Sequence, residues 1–217
     1  MNKSLSMPRD PISAYTHLAG VIFSVLGTIC MAIQGYNLIG NSTAKFTGAI
    51  IFGVSLIALY AASTIYHWSN GSSKTQQILR KLDHSMIYVL IAGTYTPILI
   101  ANLPLKKALV FTGIMWSLAA FGIIMKLFWM NAPRILSTML YLIMGWAIAF
   151  DFNAISNMTP TCFGLLLAGG LAYTIGGVIY AIKKPNISEK FGFHELFHVF
   201  VLLGSLFHYL VVVLYVL

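Results

Sequence analysis

Near its C-terminal end the chain reads His194-Glu195-Leu196-Phe197-His198. Two imidazoles one helical turn apart are the spacing by which one helix face offers two nitrogens to a single tetrahedral metal ion. Ser63 and His67 are also four apart and share a face of any helix that carries them. Asp83 and His84 follow the short basic pair Arg80-Lys81. Three neutral imidazoles, His67, His194 and His198, would hold zinc and leave a fourth position for water, whose pKa such a site lowers to about 7. Asp83 is then the group to orient that water or accept its proton. Ser63, one turn from His67, could hydrogen-bond a substrate carbonyl or an oxyanion, or instead back-bond to its own helix. Imidazoles suit copper, iron and nickel as well, so residue type alone does not select zinc.

The elements that must position these groups are set by composition. The 217 residues are 59% apolar and 8% charged, with a mean hydropathy of +0.84, whereas soluble domains carry about a quarter charged residues. Runs of about 20 apolar residues predict spans at 14–39, 45–68, 80–101, 107–128, 134–152, 161–182 and 193–217. Gly40-Asn41-Ser42, Ser69 to Ser73, Asn102-Leu103-Pro104, Asn131-Ala132-Pro133, Asn157 to Pro160 and Lys183 to Asn186 punctuate them. The expected architecture is all-α, a seven-transmembrane helix bundle forming one domain over 1–217, with a short N-terminal segment 1–13. That segment is polar, and the apolar run behind it is too long for a signal-peptide core, so it reads as retained.

Loop charge gives the direction. Lys3, Arg9, Lys74, Arg80, Lys81, Lys126, Arg134, Lys183, Lys184 and Lys190 fall on one side, and Lys45, Lys106 and Lys107 on the other. Positive residues stay inside, which puts the N-terminus in the cytoplasm and the C-terminus outside. The basic residues mark loops and not a nucleic-acid face. This topology independently gathers His67, Asp83, His194 and His198 at the cytoplasmic level of the bilayer.

The remaining polar groups are weaker candidates. His17 and His84 read as helix-end residues. His208 lies ten residues beyond His198, about 15 Å along a helix, too far for the same ion. Asp10, Asp151 and Glu189 read as solvated carboxylates. Cys30 and Cys162 are too few for a disulfide framework and read as buried thiols. Small residues at helical spacing, Gly20 with Ser24 and Ala172 with Gly176, read as sites of close helix approach.

Ser63-x-x-x-His67, Asp83 and His194-x-x-x-His198 in a seven-span chain resemble the haemolysin III family, within the wider progestin and adiponectin receptor superfamily. Ala14 to His17, Ala92 to Pro97 and His194 to Tyr209 look like its signature stretches. The resemblance runs from about residue 12 to the C-terminus, and the short N-terminus and small loops suit its bacterial branch and hence a bacterial inner membrane. It implies Zn2+ on His67, His194 and His198, Asp83 holding a water at the metal, and Ser63 as the active-site serine. By similarity to the related alkaline ceramidases, it also implies a zinc-dependent hydrolase of a membrane lipid amide or ester near the inner leaflet.

Two other functions stand beside that one. The family name implies cytolysis, so the chain could be a pore-forming protein, or a non-catalytic regulator of membrane state with a structural zinc. A pore needs a polar lumen, however, and the spans carry almost no charge outside the cytoplasmic cluster. The His-Glu-x-x-His string also permits an intramembrane metalloprotease with Glu195 as general base. A retinal-binding sensor is excluded, because the last span has no lysine.

Overall fold

Apolar stretches bounded by Gly, Asn, Ser and Pro have no stable option in hydrocarbon other than hydrogen-bonded helix. That is what the computed structural model shows over residues 7–40, 42–129 and 132–217. Lys3, Asn41 and Asn131, used above for charge and punctuation, lie outside the described residues. The helices are α1 (Pro11–Gly35), α2 (Thr43–Trp68), α3 (Ser73–Asn102), α4 (Leu105–Phe128), α5 (Arg134–Gly145), α6 (Phe152–Ser156), α7 (Pro160–Ile182) and α8 (Phe193–Val211). A widened π-helical turn, Val212–Val216, continues α8. Six of these helices are long and apolar enough to cross a membrane.

Local chemistry fixes several boundaries. Ser72 accepts the Thr75 N–H and starts α3 about two turns before the apolar span expected from residue 80. Thr159 caps α7 in the same way, with Pro160 at its first position. α2 packs between α1 and α3, α4 lies on α3, and α8 packs against α7 and α1. The close approaches use small residues. A Cβ on Gly93 would meet the Ser55 Oγ at 2.1 Å, and one on Gly176 would lie 2.9 Å from Phe200 Cβ, while Ala172 is buried beside it. Large apolar side chains such as Phe23, Phe121, Ile124 and Leu214 face outward, as a lipid boundary requires. Cys162 is buried, but Cys30 is exposed on that boundary, because the first helix presents a broad face to lipid.

The fifth crossing differs from the single helix expected at 134–152. α5 is 12 residues long, about 18 Å and well short of the ~30 Å hydrocarbon core. A 3-10 turn, Ala147–Phe150, and α6 complete the path. The break falls after Gly145, where Trp146 leaves helical geometry at φ −97 and ψ 5. Interrupted backbone at membrane depth needs protein partners, and Tyr95 supplies them. Its Oη donates to the Gly145 carbonyl at 2.9 Å and accepts the Ile148 N–H at 2.9 Å. The Trp146 indole donates to Thr174 Oγ1 at 2.9 Å. The segment still runs end to end: the Arg134 guanidinium lies over the Tyr180 ring, and Asp151 pairs with Lys107 at the opposite end. The segment therefore runs from one end of the bundle to the other by a broken path, beside six helices long and apolar enough to cross.

The two ends of the bundle agree with the loop charges. Arg9 bonds to Gln76, and Lys81 donates to the Leu127 carbonyl, so the N-terminal segment and the α2–α3 and α4–α5 connections meet at one end. Asn157 donates to the Asn102 carbonyl at the other.

Candidate metal and lipid site

α2 delivers His67 in its last turn and α8 delivers His194 and His198 in its first two turns. One ligand atom from each lies within 4.8 Å of the others. His67 Nε2 and His194 Nε2 are 3.2 Å apart. Two nitrogens bound to one tetrahedral ion at the usual zinc–nitrogen length are separated by about 3.3 Å, so this spacing suits a shared metal. The donor set of three imidazoles suits zinc among the common cellular ions, without excluding other imidazole-binding metals.

The tautomer of His67 is fixed from outside the site. Its Nδ1 is 2.9 Å from Asp10 Oδ2, and an Nδ1–H bonded to a carboxylate leaves Nε2 with its lone pair free for an ion. The Asp10 N–H in turn donates to the His67 carbonyl at 3.1 Å, so the two residues hold each other by backbone and side chain. Burial pushes the Asp10 carboxyl up, but hydrogen bonds from Arg9 and His67 outweigh it and hold the group below the usual carboxylate range. Asp10 thus stays ionised and able to accept from His67. It was read above as a solvated carboxylate, and the structure corrects this. An Asp directly before a proline looks like a helix cap, yet here it makes no capping bond.

His17 was also underestimated. It is buried, with neither ring nitrogen hydrogen-bonded, and its ring stacks on His198 at 3.6 Å with 7° between the planes. The available signal was the buried stripe Ser13, His17, Gly20 and Ser24 on α1, in which an imidazole is out of place unless it faces other polar groups. His198 Nδ1 is likewise buried without a partner.

Asp83 and Ser63 line a cavity together with His17, His194 and His198. The cavity runs from the histidines past Leu90, Ile91 and Thr94 to Trp146 and is lined largely by apolar side chains. Asp83 lies outside the set of mutually close metal donors. Ser63 is 1% exposed and its Oγ has no hydrogen-bond partner, so the back-bonding alternative is not realised. His84 lines the same cavity. His208 is deeper, 3.2 Å from the Leu166 carbonyl.

Glu195 is committed elsewhere. Its Oε2 accepts the Gly192 N–H at 2.9 Å, closing a capping box, and its Oε1 accepts from Ser13 Oγ at 2.9 Å. Its chemistry is structural, tying α8 to α1.

Comparison with known proteins gives a consistent result. Residues 5–209 match the family described as Haemolysin-III related. The chain is 40% identical to a Hemolysin-3 homolog of Bacillus subtilis (strain 168), over 89% of this chain and 87% of that one. It is 38% identical to Hemolysin-3 of Bacillus cereus, over 94% and 90%. A more distant match, 22% identical, is to an adiponectin receptor protein of Drosophila melanogaster, over 90% of this chain and 48% of that one.

Proposed function

This chain belongs to the haemolysin-III-related family and is a multi-pass integral protein of the bacterial plasma membrane; from that premise we propose that it is a zinc-dependent hydrolase of a membrane lipid amide or ester. The observation that carries the reading is the cluster of His67, His194 and His198 at one wall of a largely apolar cavity, which His194 and His198 line together with a buried carboxylate, Asp83, and an unpartnered serine, Ser63. By the loop-charge topology, this site faces the inner leaflet.

His67, His194 and His198 would hold the ion, which when bound supplies Lewis-acid polarisation and an acidified water. Asp10 keeps His67 in the ligating tautomer. Asp83 accepts the proton of the attacking water and returns it to the leaving amine or alcohol. Ser63 Oγ donates a hydrogen bond to the carbonyl oxygen as negative charge develops there. The apolar walls take the acyl chain and keep bulk water out.

The test is direct. Purified protein in lipid nanodiscs should contain one ion per chain and cleave an acyl-lipid substrate. Asp83→Asn should keep the ion and lose turnover, whereas His194→Ala should lose both. Unchanged turnover in either variant would refute the hydrolase.

The names of the Bacillus relatives carry the lytic alternative. It separates cleanly: dye release from liposomes that survives replacement of all three histidines would favour a pore. The protease alternative predicts that Glu195→Gln is more damaging than Asp83→Asn, and the engagement of Glu195 with Gly192 and Ser13 argues for the reverse.

A further inference from the structure

The same cavity has a second polar wall, of opposite character to the histidines. Arg80 from α3, Lys126 from α4 and Arg134 from α5 all line it. Arg80 shares a helix face with His84, and Arg134 with Ser137 and Thr138. Lys126 is 3% exposed, and its ammonium donates to Ser137 Oγ, so it does not snorkel to water as a membrane lysine near a helix end ordinarily does. Arg134 Nη1 and Thr138 Oγ1 are buried without hydrogen-bond partners.

None of these cations has a carboxylate within ion-pair distance among the described residues. The chain has five acidic side chains. Asp10 serves Arg9 and His67, Asp151 serves Lys107, and Glu195 serves Gly192 and Ser13. Glu189 is exposed in the loop before α8. Only Asp83 lines the cavity, so three cations face one carboxylate. Lys126 is the buried one; Arg80 and Arg134 are half-buried, with the Arg134 guanidinium over the Tyr180 and Phe193 rings. A buried cation without a carboxylate partner in a membrane protein is costly and points to a ligand.

The ligand's shape follows from the rest of the lining. Beyond Asp83 the walls become Leu90, Ile91, Thr94 and Trp146. A second cavity, lined by Ile98, Ile148, Phe163 and Leu166, shares Thr94, Tyr95, Gly145, Trp146, Gly170 and His208 with the first. An anion-binding head therefore opens into an apolar passage toward the other half of the bundle, which suits an amphiphile better than a free inorganic anion.

We propose that Arg80, Lys126 and Arg134 form a subsite for the phosphate of an anionic lipid, and that the substrate is an acyl amide or ester bearing that phosphate. Guanidinium forks pair two phosphate oxygens at once, and a lysine adds a point charge. With the phosphate so anchored, the scissile carbonyl is presented to Ser63 and Asp83. Water adds its oxygen to the acyl carbon, the C–N or C–O bond breaks, and the released amine or alcohol takes the proton while the phosphate stays intact. The subsite itself stands apart from the hydrolase reading; only the word substrate rests on it.

The test uses the full chain in nanodiscs with three probes: a short-chain ceramide 1-phosphate, the same ceramide without phosphate, and inorganic phosphate alone. The wild type should bind the phosphorylated lipid about tenfold or more tightly than the neutral one. An Arg80→Gln/Arg134→Gln double variant should lose that preference while keeping its affinity for the neutral lipid. Equal wild-type affinities, an undiminished preference in the double variant, or inorganic phosphate binding as tightly as the lipid would each overturn the proposal. If the double variant does not fold, Arg80→Gln alone decides, and an unaltered preference there overturns it. His194→Ala should retain the preference without turnover. A wild type that binds selectively yet hydrolyses nothing would sink the hydrolase and leave the subsite standing.

Discussion

The two ends of the bundle treat polar groups in opposite ways. At the end away from the histidines, Tyr95 closes both open backbone groups of the broken fifth crossing, Trp146 bonds to Thr174, Asn157 to Asn102 and Lys107 to Asp151. Among the described residues, buried atoms of His17, Ser63, Thr64, Ser85, Arg134, Thr138 and His198 lack partners toward the histidine end, against Tyr88 Oη mid-bundle and Thr112 and His208 Nδ1 beyond it. Unpaired polar groups in hydrocarbon are expensive. The open atoms at the histidine end are those that an ion, a lipid head or water would satisfy, beside pairs already closed such as Asp10–His67 and Glu195–Ser13.

The comparison can be broken by substitution. The largest effect is expected for His198→Ala, which should reduce bound metal, measured by inductively coupled plasma mass spectrometry, to a small fraction of one ion per chain. Next, Asp83→Asn should slow turnover by about 10²- to 10⁴-fold with the metal retained. Asp10→Asn should weaken metal affinity by about 10- to 100-fold in chelator competition. An Asp10→Asn variant with wild-type affinity would show that the Asp10–His67 bond has no role in holding the ion.

Effects at the other end should be of a different kind. Tyr95→Phe leaves the Gly145 carbonyl and the Ile148 N–H unpaired and should cost about 1–3 kcal/mol of stability, read as a lower midpoint of unfolding in detergent, with metal affinity unchanged. A shift in metal affinity there would join the two halves that the comparison separates. The smallest effect is acid-dependent. The hydrogen bond from Lys107 holds the Asp151 carboxyl below its ordinary range, so the pair's contribution is complete above the unfolded carboxyl's pKa and fades as pH falls through the folded one. Lys107→Met should remove that acid-side slope and little else, because the pair is at the surface.

Much of this was legible in the residue string because the relevant signals are local. Ser63 with His67, and His194 with His198, share faces by the helical repeat alone. The ten-to-three division of Lys and Arg then set the direction of every span and brought Asp83 to the same level as the histidines. What escaped was non-local. Asp10 precedes Pro11, the usual pattern of a helix cap, and its true partner is 57 residues away. His17 is a lone imidazole whose meaning depends on α8 packing against it. The break after Gly145 hides inside a continuous apolar run, and the phenol that makes it tolerable lies 50 residues earlier. Lys126 looked like a loop charge until the structure turned it inward.

The mutual hold between Asp10 and His67 has a practical consequence for handling the protein. His67, the candidate metal ligand at the end of the second helix, takes its orientation from the residues just ahead of the first, so the N-terminal segment behaves as part of the proposed site. Tags, cleavage scars or truncations that disturb Arg9-Asp10 should yield folded protein that binds its metal poorly. A purification handle belongs at Leu217, on the far side of the bundle from every ligand.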